Sequence, residues 1–173
     1  MTLRLILIRH AKSSWGDLNA LDHERTLNER GRRSAPAIGE WLKNRSYLPD
    51  QVLCSDAVRT RETLSLIAPY WDTPQVSFLP SLYLATAHAM LNDLHRATAK
   101  TVAIIGHNPG IGSLAAGLLH TRPAHPRFTA YPTCATTIID FPHDTWPEVA
   151  AASGVCVDFV VPRDLLTFDP END

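Results

Sequence analysis

Two short apolar runs constrain the fold of this chain more than any other feature. Leu3-Arg4-Leu5-Ile6-Leu7-Ile8 and Thr101-Val102-Ala103-Ile104-Ile105 are rich in β-branched residues and almost unbroken by polar ones. Strands have this composition when both of their faces are covered, so the two runs belong in the interior of a sheet. Each run leads directly to a histidine, in Ile8-Arg9-His10 and in Gly106-His107-Asn108. Stretches with helical spacing separate the runs, which predicts an α/β fold with a largely parallel central sheet.

Length and composition set the outer limits. At 173 residues the chain suits one domain, expected over 1–168, with an acidic end, Asp169-Pro170-Glu171-Asn172-Asp173, expected to fray. Such a length buries a core without disulfide or metal staples. A formal net charge of -2 speaks against a nucleic-acid binder, which carries a strongly basic face. The three cysteines, Cys54, Cys134 and Cys156, are odd in number and form no C-x-x-C, so a disulfide framework or zinc ribbon is not expected. No apolar stretch approaches the roughly 20 residues needed to span a bilayer. The apolar N-terminal run is too short, and carries a charge, for a secretory signal. The expectation is a cytoplasmic protein with no membrane or nucleic-acid partner.

The elements follow from local patterns. Helices are expected at 28–43, 56–67, 86–97 and 109–119. Thr26-Leu27-Asn28-Glu29 has the form of a capping box ahead of the first. Asn108 is the expected N-cap of the last, with Pro109 in its first turn. Further strands are expected at 51–54, 76–79, 136–141 and 155–160, and a proline-rich loop at 121–132.

Ligand sites in open α/β sheets lie at the carboxyl ends of strands. Here those ends supply His10 with Arg9 beside it, His107 with Asn108 after it, and the segment Ser55-Asp56-Ala57-Val58-Arg59-Thr60-Arg61, which opens a helix. Helix N-termini favour anions, and arginine offers forked donors to phosphate oxygens. Two histidines converging with two arginines describe a phosphate pocket with a nucleophile or base at hand. The remaining histidines suggest no metal site; only His88 and His95, seven apart, could share a helical face.

In these motifs and their order the chain resembles the histidine phosphatase (phosphoglycerate mutase-like) superfamily. Leu7-Ile8-Arg9-His10-Ala11-Lys12-Ser13 resembles its R-H-G signature. Leu27-Asn28-Glu29-Arg30-Gly31 resembles its first-helix start. Ser55-x-x-x-Arg59-x-x-x-Thr63 and Gly106-His107-Asn108-Pro109-Gly110 resemble its second arginine and second histidine motifs. Small size and the Lys12-Ser13-Ser14-Trp15 continuation are similar to the SixA-type phosphohistidine phosphatase branch. The resemblance implies a three-layer sandwich with helices on both faces of the sheet. It also implies a metal-independent, cofactor-free phosphatase in which His10 is transiently phosphorylated. Arg9, Arg59, His107 and Asn108 would hold the phosphate, which leaves as product. The substrate would be a phosphohistidine-bearing protein or a small phosphorylated molecule. Mutase action on small metabolites and a catalytically weak phospho-ligand-binding role are the competing readings.

The chain departs from the family pattern in two respects. Ala11 replaces the signature glycine, and no carboxylate occupies either place where relatives keep their proton donor; Ser81 and Asn108 stand there instead. Asp22 and Glu24, in the loop before the first helix, are the candidate donors. An imidazole leaving group needs an acid less than an alkoxide does, which tilts the expectation toward phosphohistidine.

Overall fold

The computed structural model describes residues 2–168, so the expected fraying of 169–173 lies outside the described residues. Six strands form one sheet: β1 (Leu3–Arg9), β2 (Gln51–Ser55), β3 (Gln75–Leu79), β4 (Thr101–Gly106), β5 (Thr136–Phe141) and β6 (Val155–Val160). Their order is β3-β2-β4-β1-β5-β6. The first four in that order run parallel; β5 pairs antiparallel with β1, and β6 antiparallel with β5. The helices are α1 (Glu29–Asn44), α2 (Val58–Ile67), α3 (Ala87–Leu94), α4 (Gly110–Leu118) and the short α5 (Pro162–Leu165).

The alternation of side chains along β1 divides the core into two layers. Leu3, Leu5 and Leu7 join Met90 and Leu94 of α3 and Ile111, Leu114 and Leu118 of α4. Ile6 and Ile8 point the other way, against Ala35, Ile38 and Leu42 of α1 and Leu64 and Ile67 of α2. This is the expected three-layer sandwich. Both faces of β1 are dry, so truncating Ile6 to alanine would cost about 2–5 kcal/mol.

Several expected boundaries move for physical reasons. The Thr26–Glu29 capping box does not cap α1; Asn28 does, its Oδ1 accepting the Gly31 N–H at 2.9 Å. Helix α2 starts at Val58 rather than Asp56. Ser55 and Asp56 are taken up by a turn in which Thr60 Oγ1 donates to the Ser55 carbonyl at 2.7 Å. Helix α3 ends early, as Arg96 and Ala97 tighten onto the carbonyls of Asp93 and Leu94. Helix α4 starts at Gly110, although Asn108 Oδ1 still caps it from one turn back by accepting the Gly112 N–H at 3.2 Å. Among the described residues no helix is long and apolar enough to cross a membrane.

Candidate active site

Strands β1 and β4 lie side by side in parallel register, with Arg9 opposite Gly106. The next residue on each is a histidine, so the sheet itself sets the two imidazoles together, with centroids 5.3 Å apart. The His10 N–H donates to the Gly106 carbonyl at 3.0 Å, extending the ladder one step past the strand. Helix α2 delivers Arg59 in its first turn. Together these side chains line a cleft of about 210 Å³, with Lys12, Ser13, Trp15, Arg25, Leu84, Asn108 and Thr133.

His10 is only 7% exposed. Its Nδ1 lies 2.7 Å from the Ala11 carbonyl, an acceptor only, so that nitrogen carries the proton and Nε2 keeps its lone pair. Burial, with smaller contributions from His107, Arg59 and Arg9, outweighs that bond and pushes the His10 pKa down to about 3. His107 is fully buried, and its Nε2 is 2.7 Å from Ser55 Oγ. Ser55 Oγ also accepts the Ala57 N–H, at 3.4 Å. We assign the proton between Ser55 Oγ and His107 Nε2 to Ser55, which leaves the His107 proton on Nδ1. Burial, then Arg59, lowers the His107 pKa to about 4. Both imidazoles are therefore neutral at neutral pH.

Buried polar atoms almost always have partners. Arg9 Nε, Arg59 Nε and His107 Nδ1 are buried without any in the protein. Arg9 is held at one η-nitrogen and Arg59 at both. Arg9 Nη1 bonds the Tyr131 carbonyl at 3.0 Å. Arg59 Nη1 bonds the Asp22 carbonyl at 2.7 Å, and Nη2 bonds Asp22 Oδ2 at 3.1 Å. Asn108 Nδ2 donates to the same Tyr131 carbonyl, at 3.0 Å, so the 130–135 turn holds Arg9 and Asn108 together.

The candidate proton donors fare differently. Asp22 is a hub: Arg25 Nη1 reaches Oδ1 at 3.0 Å, Arg59 reaches Oδ2, and the Tyr83 hydroxyl donates to Oδ2 as well. The Tyr83 bond, with the charges of Arg25 and Arg59, holds the Asp22 pKa near 2. It is thus a fixed carboxylate with no proton to give near neutral pH. Glu24 is exposed and does not line the cleft. Ser81, at one family donor position, bonds Asp93 Oδ2 at 2.6 Å.

Sequence reasoning paired Arg61 with Arg59, but Arg61 leaves the site, stacking on Phe78 of β3 at 3.9 Å. It missed Arg25, Tyr83 and Ser55 as site residues, and it missed His23. The His23 ring meets the edge of Tyr83 at 4.8 Å, and its Nε2 is 2.9 Å from Asp56 Oδ1. A larger, more apolar groove of about 610 Å³ runs along β6. Its histidines are already engaged, His120 with Thr121 and His125 with Asp164. Among the described residues no group of three or more His, Cys, Asp or Glu is placed to hold a metal ion.

Two neutral histidines and two arginines, one of them buried, share one cleft at the carboxyl ends of the two central strands, as the resemblance to the histidine phosphatases implies. The profile of the histidine phosphatase superfamily (branch 1) matches residues 5–83. An uncharacterized chloroplastic protein of Arabidopsis thaliana is 33% identical over 163 residues, covering 87% of this chain and 72% of that one. A proposed phosphohistidine phosphatase SixA from Nakamurella multipartitia is 27% identical, with a TM-score of 0.77 over 94% of this chain and 97% of the other. A second such SixA, from Agrobacterium tumefaciens, is 25% identical, with a TM-score of 0.76 over 92% and 98%. The chain belongs to the histidine phosphatase superfamily. Within it, the likeness to the small SixA-type proteins runs nearly end to end on both sides.

Proposed function

We propose that this protein is a phosphatase that works through a phosphohistidine on His10 and takes phosphohistidine-bearing proteins, or similarly activated phosphoryl donors, as substrate. The observation that carries the reading is the pairing of an unprotonated His10 Nε2 with three unpartnered buried donors, Arg9 Nε, Arg59 Nε and His107 Nδ1. A tetrahedral phosphoryl group supplies acceptors for all three and an electrophile for the lone pair.

In the first step the Nε2 pair attacks phosphorus and the bond to the substrate nitrogen breaks; the substrate ring, protonated on its other nitrogen, takes that pair and leaves as neutral imidazole. In the second, a water oxygen attacks phosphorus, the bond to Nε2 breaks, and its pair returns to His10. Both water protons leave on inorganic phosphate, as H2PO4−, and His10 regains its starting tautomer. Charge on the transferring oxygens falls to Arg9, Arg59 and His107, which are already in place and need no reorganisation. None of Asp22, Ser81 and Asn108 is set to protonate a leaving group, and a nitrogen leaving group has little need of it.

Hydrolysis of a phosphohistidine peptide, of p-nitrophenyl phosphate and of a simple alkyl phosphate, by wild type and His10→Ala, tests the proposal. The expected order of kcat/KM is phosphohistidine first and alkyl phosphate last, with His10→Ala inactive on all. Acid-labile phosphate should be trapped on His10 in the wild type. Undiminished turnover by His10→Ala overturns the mechanism, and equal kcat/KM for the alkyl and phosphohistidine substrates overturns the substrate assignment.

A further inference from the structure

The segment 14–26 inverts the usual arrangement of a surface loop. Its base is closed by polar bonds: the Ser14 N–H to the Thr26 carbonyl at 2.8 Å and Arg25 Nε to the Ser14 carbonyl at 3.1 Å. Asp22 pins it to α2 through Arg59 and to the turn after β3 through Tyr83. With its polar groups so engaged, its large apolar side chains face out. Trp15 is 70% exposed, Leu18 95% and Leu21 68%. Across the cleft, Leu84 is 55% exposed on a left-handed backbone with φ 48°. A leucine in that region is strained, and strain of this kind persists where function holds it.

Two features make this more than scattered surface hydrophobicity. Trp15 is rigid: the Arg25 guanidinium lies 3.4 Å from its ring centroid, and Arg25 is itself held by Asp22, Ser13 and Ser14. A fixed aromatic with one face stapled and the rest in solvent is the form of an interface anchor. Moreover, Trp15 and Leu84 line the same cleft as His10 and Arg59. A phosphoryl donor that enters this cleft therefore meets Trp15 and Leu84 among its walls. The matching occupant must carry an anionic phosphoryl group at its tip, for the arginines, and apolar surface around it, for the rim.

We propose that Trp15, Leu18, Leu21 and Leu84 form a docking rim for a protein whose phosphorylated side chain projects from an apolar surface. The proposal rests on the phosphatase reading above and adds how its substrate is recognised. Trp15 and Leu84 then flank the inserted side chain, and Leu18 and Leu21 meet the carrier farther out.

The test compares free phosphohistidine with two short phosphohistidine peptides, one with leucine flanks and one with serine flanks. For the wild type, KM for the leucine-flanked peptide should be about tenfold below that for the serine-flanked one, the scale of burying about one leucine side chain. The double variant Leu18→Ser, Leu21→Ser should erase that difference and leave kcat/KM for free phosphohistidine unchanged. Trp15→Ala should erase it too. Turnover of all three substrates with equal KM for the two peptides overturns the docking rim and spares the phosphatase reading. Absence of turnover on every phosphohistidine compound overturns both. Retention of the chain on phosphatidylglycerol vesicles, lost in the double variant and joined with equal KM for the peptides, overturns it in favour of a membrane contact.

Discussion

Asp22 grips Arg59 twice, its backbone carbonyl 2.7 Å from Nη1 and its carboxylate 3.1 Å from Nη2. One residue of a 3₁₀ turn thus fixes the orientation of a buried guanidinium and leaves only its Nε without a partner. We propose from this that Asp22 positions Arg59 and does not serve as the acid. Asp22→Asn should lower kcat/KM about tenfold, the scale of a charge-assisted hydrogen bond. The loss should be equal for p-nitrophenyl phosphate and for an alkyl phosphate. A general acid would behave otherwise, losing about 100-fold or more on the poor leaving group alone. Paired kcat/KM measurements on the two substrates separate the roles.

The two histidines make stability pH-dependent in a definite direction. Burial holds the folded pKa of His10 at about 3 and of His107 at about 4, against an ordinary value of 6.5. Between those values the unfolded chain binds protons that the folded one refuses, so stability falls as pH drops from about 6.5 toward 4. Each histidine contributes a slope of about 1.4 kcal/mol per pH unit within that window. Urea unfolding from pH 7 to 4.5 should follow this trend, and His10→Gln should flatten it. The ring resonances of His10 and His107 should not titrate between pH 8 and 5.

Gly31 explains one sequence motif sterically. A Cβ there would lie 2.2 Å from the Lys12 carbonyl oxygen, in the loop that follows His10. The start of α1 rests directly on that backbone, where the Asn28 N–H also donates to the Lys12 carbonyl at 3.0 Å. Gly31→Ala should therefore cost about 1–3 kcal/mol and depress activity as the loop shifts. Gly117, in α4, has nothing within 4 Å of the same position, and Gly117→Ala should stabilise by about 0.5–1 kcal/mol. Chemical denaturation of both variants checks the contrast.

Ser55 acts through His107. Without the Oγ donor, the imidazole has no reason to keep its proton on Nδ1. Ser55→Ala should give a mixed tautomer in the ¹⁵N spectrum of His107. It should also reduce kcat about tenfold, as one of three phosphate-facing donors is then present only part of the time.

The interior strands were readable because a short, unbroken apolar run bounded by polar loops suits a strand covered on both faces and little else. His10 and His107 were placed by the same logic, each two residues beyond such a run. Arg59 and Arg61 looked equivalent in sequence. Two positions along a helix rotate a side chain by about 200°, which sends Arg59 to the cleft and Arg61 to Phe78. Arg25, Tyr83 and Trp15 come from loops whose approach to the sheet ends leaves no periodic trace. They meet through Asp22 and through the stack of Arg25 on Trp15, contacts between segments up to 61 residues apart. Asn28 won the helix cap from Thr26 because Gly31, pressed against Lys12, fixes where the first turn begins.

The parallel register of β1 and β4 has a consequence for how such a protein can diversify. The spacing of its two imidazoles is written into a ladder of backbone hydrogen bonds, with Arg9 opposite Gly106, and owes nothing to the length or composition of the surrounding loops. The segment 14–26, by contrast, is tied to neighbouring elements through side chains, His23 to Asp56 and Asp22 to Arg59 and Tyr83. That segment carries both the proposed docking rim and Asp22, which holds Arg59, so recognition can vary only around a retained aspartate. Exchanging that segment between relatives should transplant a preference for one carrier over another while the histidine pair stays where the sheet puts it.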